Sequence, residues 1–238
     1  MKKTIFTLII IILVCLGCEK NNPKFIFLGN WSSTSDTNFE IDITFSNDSI
    51  LINNPIAIQP KYSTKWKIIG DKIKHDESVW DFKFNTDKDT LWIKHETDSI
   101  YHLKLKKIND GYEYFENRIG LQIKLKKNKE DLTSIGKNDF GFNIYLSLKN
   151  NELIAKTDNS KNLNRITYET FYFKDGFPEN EEEKLKYVLF IDKRISERSI
   201  DSVKSKLLTN VINKIFVVYD YKENEWNDDL NWFGKFEN

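Results

Sequence analysis

Residues 80–84 read Trp80-Asp81-Phe82-Lys83-Phe84, and residues 101–106 read Tyr101-His102-Leu103-Lys104-Leu105-Lys106. In both, apolar and polar side chains alternate. A strand sends successive side chains to opposite faces, so this period predicts strands with one face on a core and one in water. The same period recurs at Phe39, Ile41, Ile43 and Phe45, at Trp66 and Ile68, and at Ile119, Leu121, Ile123 and Leu125. Turn-forming residues punctuate the runs: Ser46-Asn47-Asp48-Ser49, Gly70-Asp71, Asn85 to Asp89, and Asn109-Asp110-Gly111. Such residues tolerate left-handed backbone or bond to their own main chain, and each cluster predicts a hairpin. Short strands at this spacing, without a helical period, predict an antiparallel β-meander over residues 25–128. Closure into a barrel would remove its exposed edges.

The pattern changes after Lys129. Residues 140–148 (FGFNIYLSL) read as a strand, followed by a turn at Asn150-Asn151 and a short strand from Glu152 to Ala155. Leu163 to Phe173 has mixed periodicity; it suits a helix by spacing, although Tyr168, Thr170, Phe171 and Tyr172 are weak helix formers. Tyr187 to Ile191 and Ile215 to Tyr219 are continuous apolar runs, the mark of buried strands. Between them, Ile200, Val203, Leu207 and Leu208 recur at helical spacing, with Ser199 as a candidate N-cap. Strand, helix, strand predicts a βαβ unit with parallel strands. The fold class expected is therefore α+β: a barrel-like domain over 25–128 and an α+β domain over 129–238.

Composition narrows the function. The 36 basic and 36 acidic residues are interspersed, and the chain has no net formal charge. Loss of Lys2 and Lys3 with a leader would leave 34 basic residues against 36 acidic ones. Nucleic-acid binding would need a basic footprint, and none is present. Both cysteines, Cys15 and Cys18, lie in the first eighteen residues. A mature body without cysteine has no disulfide, thiolate metal site or thiol nucleophile.

The first residues, MKKTIFTLIIIILVCLGC, join a basic start (Lys2, Lys3) to an apolar run from Thr4 to Val14. That run is shorter than the roughly 20 residues needed to span a bilayer and matches the core of a signal peptide. Cys15-Leu16-Gly17-Cys18 resembles a lipoprotein processing box, with Cys15 where Leu is usual. The resemblance implies a signal peptide over 1–17 and diacylglycerol and acyl chains such as palmitate on Cys18. It also implies a tether over 18–24 and attachment to the outer membrane, facing the periplasm or the cell surface. More than one acyl chain makes such anchoring stable. The Lys-, Asn- and Ile-rich style is similar to that of envelope lipoproteins of the Bacteroidetes.

Two further resemblances concern the fold. Gly29-Asn30-Trp31 at the head of a meander resembles the first strand of lipocalin-like barrels. That likeness implies Trp31 as a plug at one barrel end, under a basic side chain from late in the domain; Arg118 is the candidate. Asn143-Ile144-Tyr145-Leu146, Ile191-Asp192-Lys193 and Lys214 to Val218 resemble the periplasmic domain of the ExbD/TolR transport family. The family's membrane helix and its embedded Asp have no counterpart, so only the fold, and a tendency to contact protein or cell wall, is implied.

The chemistry sought is thin. His75, His95 and His102 lack metal-ligand spacing. No phosphate loop and no nucleophile elbow are present. No catalytic residue, metal or cofactor is assigned, and the chain is read as not being an enzyme. The tail offers Trp226, Trp232 and Phe233 as a candidate recognition patch. The leading expectation is a lipid-anchored, non-catalytic module that binds an envelope protein or surface polymer. The alternatives are a lipocalin-like carrier of a small apolar ligand and an immunity-type self-protection lipoprotein.

Overall fold

The computed structural model describes residues 23–34, 41–53, 61–128, 132–135, 141–158, 163–176, 179–220 and 232–237. The leader with Cys18, Phe39 of the first alternating run, and Trp226 lie outside the described residues.

A short helix α1 (Lys24–Phe27) precedes eight strands: β1 (Gly29–Ser33), β2 (Asp42–Phe45), β3 (Ser49–Asn53), β4 (Lys61–Ile69), β5 (Lys72–His75), β6 (Ser78–Phe84), β7 (Thr90–His95) and β8 (Leu103–Ile108). Each pairs antiparallel with its sequence neighbour, and β8 returns to β1 through Trp31↔Lys107 and Ser33↔Leu105. The meander therefore closes into a barrel, which leaves no unpaired edge. The alternation delivers Ile43, Phe45, Ile50, Trp66, Ile73, Leu91, Ile93 and Leu105 to a buried interior. Three of the expected turns reverse the chain as hairpins, Gly70 with φ of 62° among them. Gly29 adopts φ of 110°, a conformation that L side chains rarely take, which fits glycine to the start of β1.

The fourth expected turn is corrected. Asp110 is the N-cap of helix α2 (Gly111–Tyr114), accepting a hydrogen bond from the Glu113 amide. A π-helical turn, Phe115–Ile119, continues α2 and ends at Gly120, with φ of 70°. The strand expected from Ile119 to Leu125 is corrected as well. Leu121, Ile123 and Leu125 are buried as alternation requires, yet among the described residues the segment's β-pairing is limited to the isolated bridges Leu125↔Asp192 and Lys127↔Asp220. It lies against the second sheet instead of extending the barrel. Period 2 specifies an extended chain and its apolar face, but not the surface that face covers.

The second sheet has the order β11-β10-β12-β13-β14-β9. Its strands are β9 (Thr133–Ile135), β10 (Gly141–Lys149), β11 (Glu152–Thr157), β12 (Lys186–Ile191), β13 (Ile215–Tyr219) and β14 (Trp232–Glu237). The Asn150-Asn151 pair, both with positive φ, makes the tight β10–β11 turn. β10, β12 and β13 run parallel, as the βαβ reading requires. Helix α3 (Ile166–Asp175) precedes β12, and helix α4 (Glu197–Leu207) links β12 to β13. The cap of α4 is Ser196 rather than Ser199: Ser196 is extended and its hydroxyl accepts from the Ser199 amide.

Two cores sandwich this sheet. Ile144, Leu146, Leu189, Ile191 and Val217 face Ile166, Ile200, Val203 and Leu207 of the helices. On the opposite face, Tyr145, Val188, Phe190, Phe216 and Val218 meet Tyr114, Phe115, Ile119, Leu121, Ile123 and Leu125. The layers are thus helices, sheet, the 109–127 segment, and then the barrel.

Candidate functional site

The barrel interior is an aromatic core. Phe27 of α1 enters one end, with ring centroids 4.9 Å from both Phe82 and Phe84, 5.3 Å from Phe45 and 5.7 Å from Trp66. The Trp31 indole donates a 2.6 Å hydrogen bond to the Phe27 carbonyl. Trp66 donates to the Ser46 carbonyl at 2.8 Å, and the Lys24 ammonium sits 4.8 Å from its ring. Buried indole N–H groups are thereby satisfied.

The cation near the Trp31 ring is Lys107 of β8, 5.7 Å from the centroid. Burial lowers the Lys107 pKa from its ordinary value. Arg118, the sequence candidate for that place, belongs to the π-helical turn. Its Nε stands 4.0 Å from Asp42 Oδ1, and both side chains are 4% exposed. Asp42 neighbours the inward Ile43 in a strand, so it points outward from the barrel. Around it, the Ser32 hydroxyl donates to Asp42, and Thr44 donates to Asn30 at 2.7 Å. These four outward groups are buried. They form a polar seam under the π-helical turn. The seam continues on the far side: Tyr145 donates to Asp158 at 2.9 Å, as does Asn143. Burial pushes the Tyr114 and Tyr145 hydroxyls well above their ordinary pKa, with the Asp42 and Asp158 charges adding to the rise. Both tyrosines are buried in the core between the 109–127 segment and the second sheet.

Asp192 has a similar structural task. Fully buried at the end of β12, it accepts from the Lys124 amide at 3.1 Å and from Arg194 Nε and Nη2 at 2.8 and 3.0 Å. Burial alone would raise its pKa; the Arg194 bonds bring it below the usual value. The Asp192-Lys193 pair singled out in the sequence thus pins the 121–127 segment, with Lys193 N donating to Lys124 O at 2.7 Å.

The exposed chemistry is on α3. Ile166, Glu169 and Thr170 face inward, Glu169 accepting from Thr157 at 2.6 Å. Tyr168, Phe171 and Tyr172 face outward and are 56%, 57% and 56% exposed. They stand at i, i+3 and i+4, one stripe of a helix. The Tyr168 and Tyr172 rings are 4.4 Å apart and tilted by 56°; Phe171 meets Tyr172 at 89°. The Arg165 guanidinium lies 5.8 Å from the Tyr168 ring. A hydrogen bond with Tyr168 raises the Tyr172 pKa. Thr167 donates to Asn210 at 2.7 Å, which brings the exposed Leu208 and Val211 to the same helical layer. The sequence periodicity here is mixed. The signal was two superposed stripes: Ile166, Thr170 and Phe173 for the core, and three aromatics for the surface.

The tail residues differ in placement. Trp232 of β14 is half-buried, stacked on Phe115 at 5.2 Å and edge-on to Phe190 at 4.8 Å. Phe233 is half-buried and lies opposite Tyr219 in the ladder. His75 is buried against the Trp80 ring at 4.0 Å, and burial lowers its pKa. His95 bonds Thr97, and His102 lies 3.5 Å from Asp98. Among the described residues no group of three or more His, Cys, Asp or Glu side chains could hold a metal. Among them, too, no helix is long and apolar enough to cross a membrane.

Compared with known proteins, the chain matches no family model, no curated protein and no solved structure.

Proposed function

We propose that this protein is an envelope lipoprotein, lipidated at Cys18 after removal of residues 1–17, that acts as a non-catalytic binding module for a protein partner. The observation that carries the reading is the outward aromatic face of α3. Exposing three large rings on one helix face is costly in water, and contiguous exposed apolar surface marks interaction sites. Tyr with a neighbouring Arg is the composition of binding hot spots. The mutual ring tilts of 56° and 89° make a knob, not the flat strip on which a sugar polymer would stack. An i, i+3, i+4 stripe fits an apolar groove on a partner. The barrel then serves as the base that carries this helix layer on the tethered side of the chain. Its Phe27-filled interior favours this reading over the carrier of a small apolar ligand.

The test compares the intact protein with Tyr168→Ala/Phe171→Ala/Tyr172→Ala in native envelopes. After crosslinking and mass spectrometry, the intact chain yields a stoichiometric partner protein that the triple variant loses. A partner retained undiminished by the variant would overturn the role of α3. Fractionation of Cys18→Ser checks the anchor: the account expects release from the membrane pellet.

A further inference from the structure

A cleft lies beside α4, separate from the aromatic stripe of α3. Lys204 of α4 stands over β14, whose Glu237, Lys235 and Phe233 lie opposite Ile215, Val217 and Tyr219 of β13. Between helix and strands is a cleft of about 170 Å³. Its apolar floor includes Ile200 and Val217, and its polar walls are Lys126, Glu197, Lys204, Tyr219 and Glu237. The cleft runs along β13 beside α4, from Ile191 and Tyr219 at the strand ends to Glu237, which pairs with Ile215 at the start of β13.

The walls carry charges of both signs. Lys126 pairs with Glu197 at the rim, where Glu197 is 73% exposed. Deeper in, Glu237 accepts from both Lys204 and the Tyr219 hydroxyl, one on each carboxylate oxygen. Lys204 and Glu237 are only 19% and 22% exposed. A carboxylate has about four acceptor positions, so Glu237 keeps capacity for another donor. Burial alone would raise its pKa, but Lys204 and Tyr219 bring it below the usual value, so it stays anionic at neutral pH. The rim pair is weak, because solvent screens an exposed ion pair. A ligand carboxylate can therefore replace Glu197 on Lys126 at small cost. Lys126 and Lys204, with Lys235 lying 5.8 Å from the Tyr219 ring, face Glu197 and Glu237, so the cleft offers both signs and matches a ligand that carries both. The volume is below the roughly 300–1,000 Å³ of sites for drug-sized molecules, so the ligand is small.

We infer that the cleft between α4 and β13–β14 binds a small zwitterion of the amino-acid class. Its carboxylate lies on Lys126, its ammonium on Glu237, and its side chain over Ile200 and Val217. This site is independent of the α3 docking face.

The experiment uses the full-length protein in detergent micelles. The twenty protein amino acids are screened by melting shift, and the best ligand is titrated by calorimetry. Its two analogues, one lacking the ammonium and one lacking the carboxylate, follow; for leucine these are 4-methylpentanoate and 3-methylbutylamine. The inference expects saturable binding of the amino acid, with each analogue at least about tenfold weaker. Lys126→Ala and Glu237→Gln should each weaken it about tenfold with an unchanged circular dichroism spectrum. The charge-swapped Lys126→Glu/Glu197→Lys keeps a rim pair and should also lose affinity, which guards against a folding artefact of the Glu237 variant. No amino acid binding, analogues that bind equally well, or full affinity in Lys126→Ala and the swap would each overturn the inference.

Discussion

The barrel and the helix layer of the second sheet spend their aromatic residues in opposite ways. In the barrel, Phe27, Trp31, Phe45 and Trp66 converge on one interior, and both indoles find carbonyl acceptors. On α3, Tyr168, Phe171 and Tyr172 turn away from a core that Ile166 and Phe173 already serve. Buried rings yield folding free energy directly; exposed rings yield none until something covers them. The difference assigns stability to the first region and supports the recognition role proposed for the second, and it can be attacked from either side.

The largest effect should come from the barrel. Phe27→Ala removes the ring that touches four other aromatics and should cost about 3–5 kcal/mol in urea unfolding, the range for large buried aromatics. A loss below about 1 kcal/mol would mean that α1 merely rests on the barrel mouth. Next is the seam. Arg118→Ala strands the buried Asp42 carboxylate and should destabilise by about 3 kcal/mol. Replacing both, as Asp42→Leu/Arg118→Met, should recover most of that loss, since no unpaired charge remains. If the double variant is as unstable as the single one, the seam is held by something other than this pair.

A smaller effect concerns pH. Lys106, with Thr90 and Asn85, holds the Asp89 pKa at about 2 against an ordinary 3.8. A folded-state pKa below the unfolded one stabilises at pH above 3.8, and the contribution fades as pH falls toward 2. Asp89 and Lys106 are 47% and 32% exposed, so screening limits the contribution to under about 1 kcal/mol. Asp89→Asn should flatten the acid limb of the stability profile by that amount between pH 4 and pH 2. The smallest effect on stability belongs to α3. Tyr168→Ala, Phe171→Ala and Tyr172→Ala should each change unfolding free energy by no more than about 0.5 kcal/mol, as surface substitutions do. A cost of several kcal/mol from Phe171→Ala would move α3 from the recognition side of the comparison to the stability side.

How far the sequence reaches follows the same division. Alternation at Trp80 to Phe84 and Leu103 to Leu105 identifies barrel strands because each strand has one wet face. β7 escapes a period-2 reading, since Trp92 sits between Leu91 and Ile93 and adds a third apolar side chain to the run. The buried β12 and β13 and the helix between them were legible from apolar runs and helical spacing. Ile119 to Leu125 was legible as apolar on one side, but its cover is set by long-range contacts to Asp192 and the second sheet. The polar seam around Arg118 and Asp42 joins residues 76 positions apart, and no local period encodes such a pairing. The aromatic face of α3 was hidden because an outward apolar stripe imitates a core stripe in one dimension.

The central claim, that α3 is the docking face, is tested most directly by a photo-crosslinking amino acid placed in native envelopes. One position is Phe171. The control is Ile100 of the barrel, which is 60% exposed. The account predicts one discrete protein adduct from position 171 and none from position 100. No adduct at 171, or the same adduct from both positions, would contradict it.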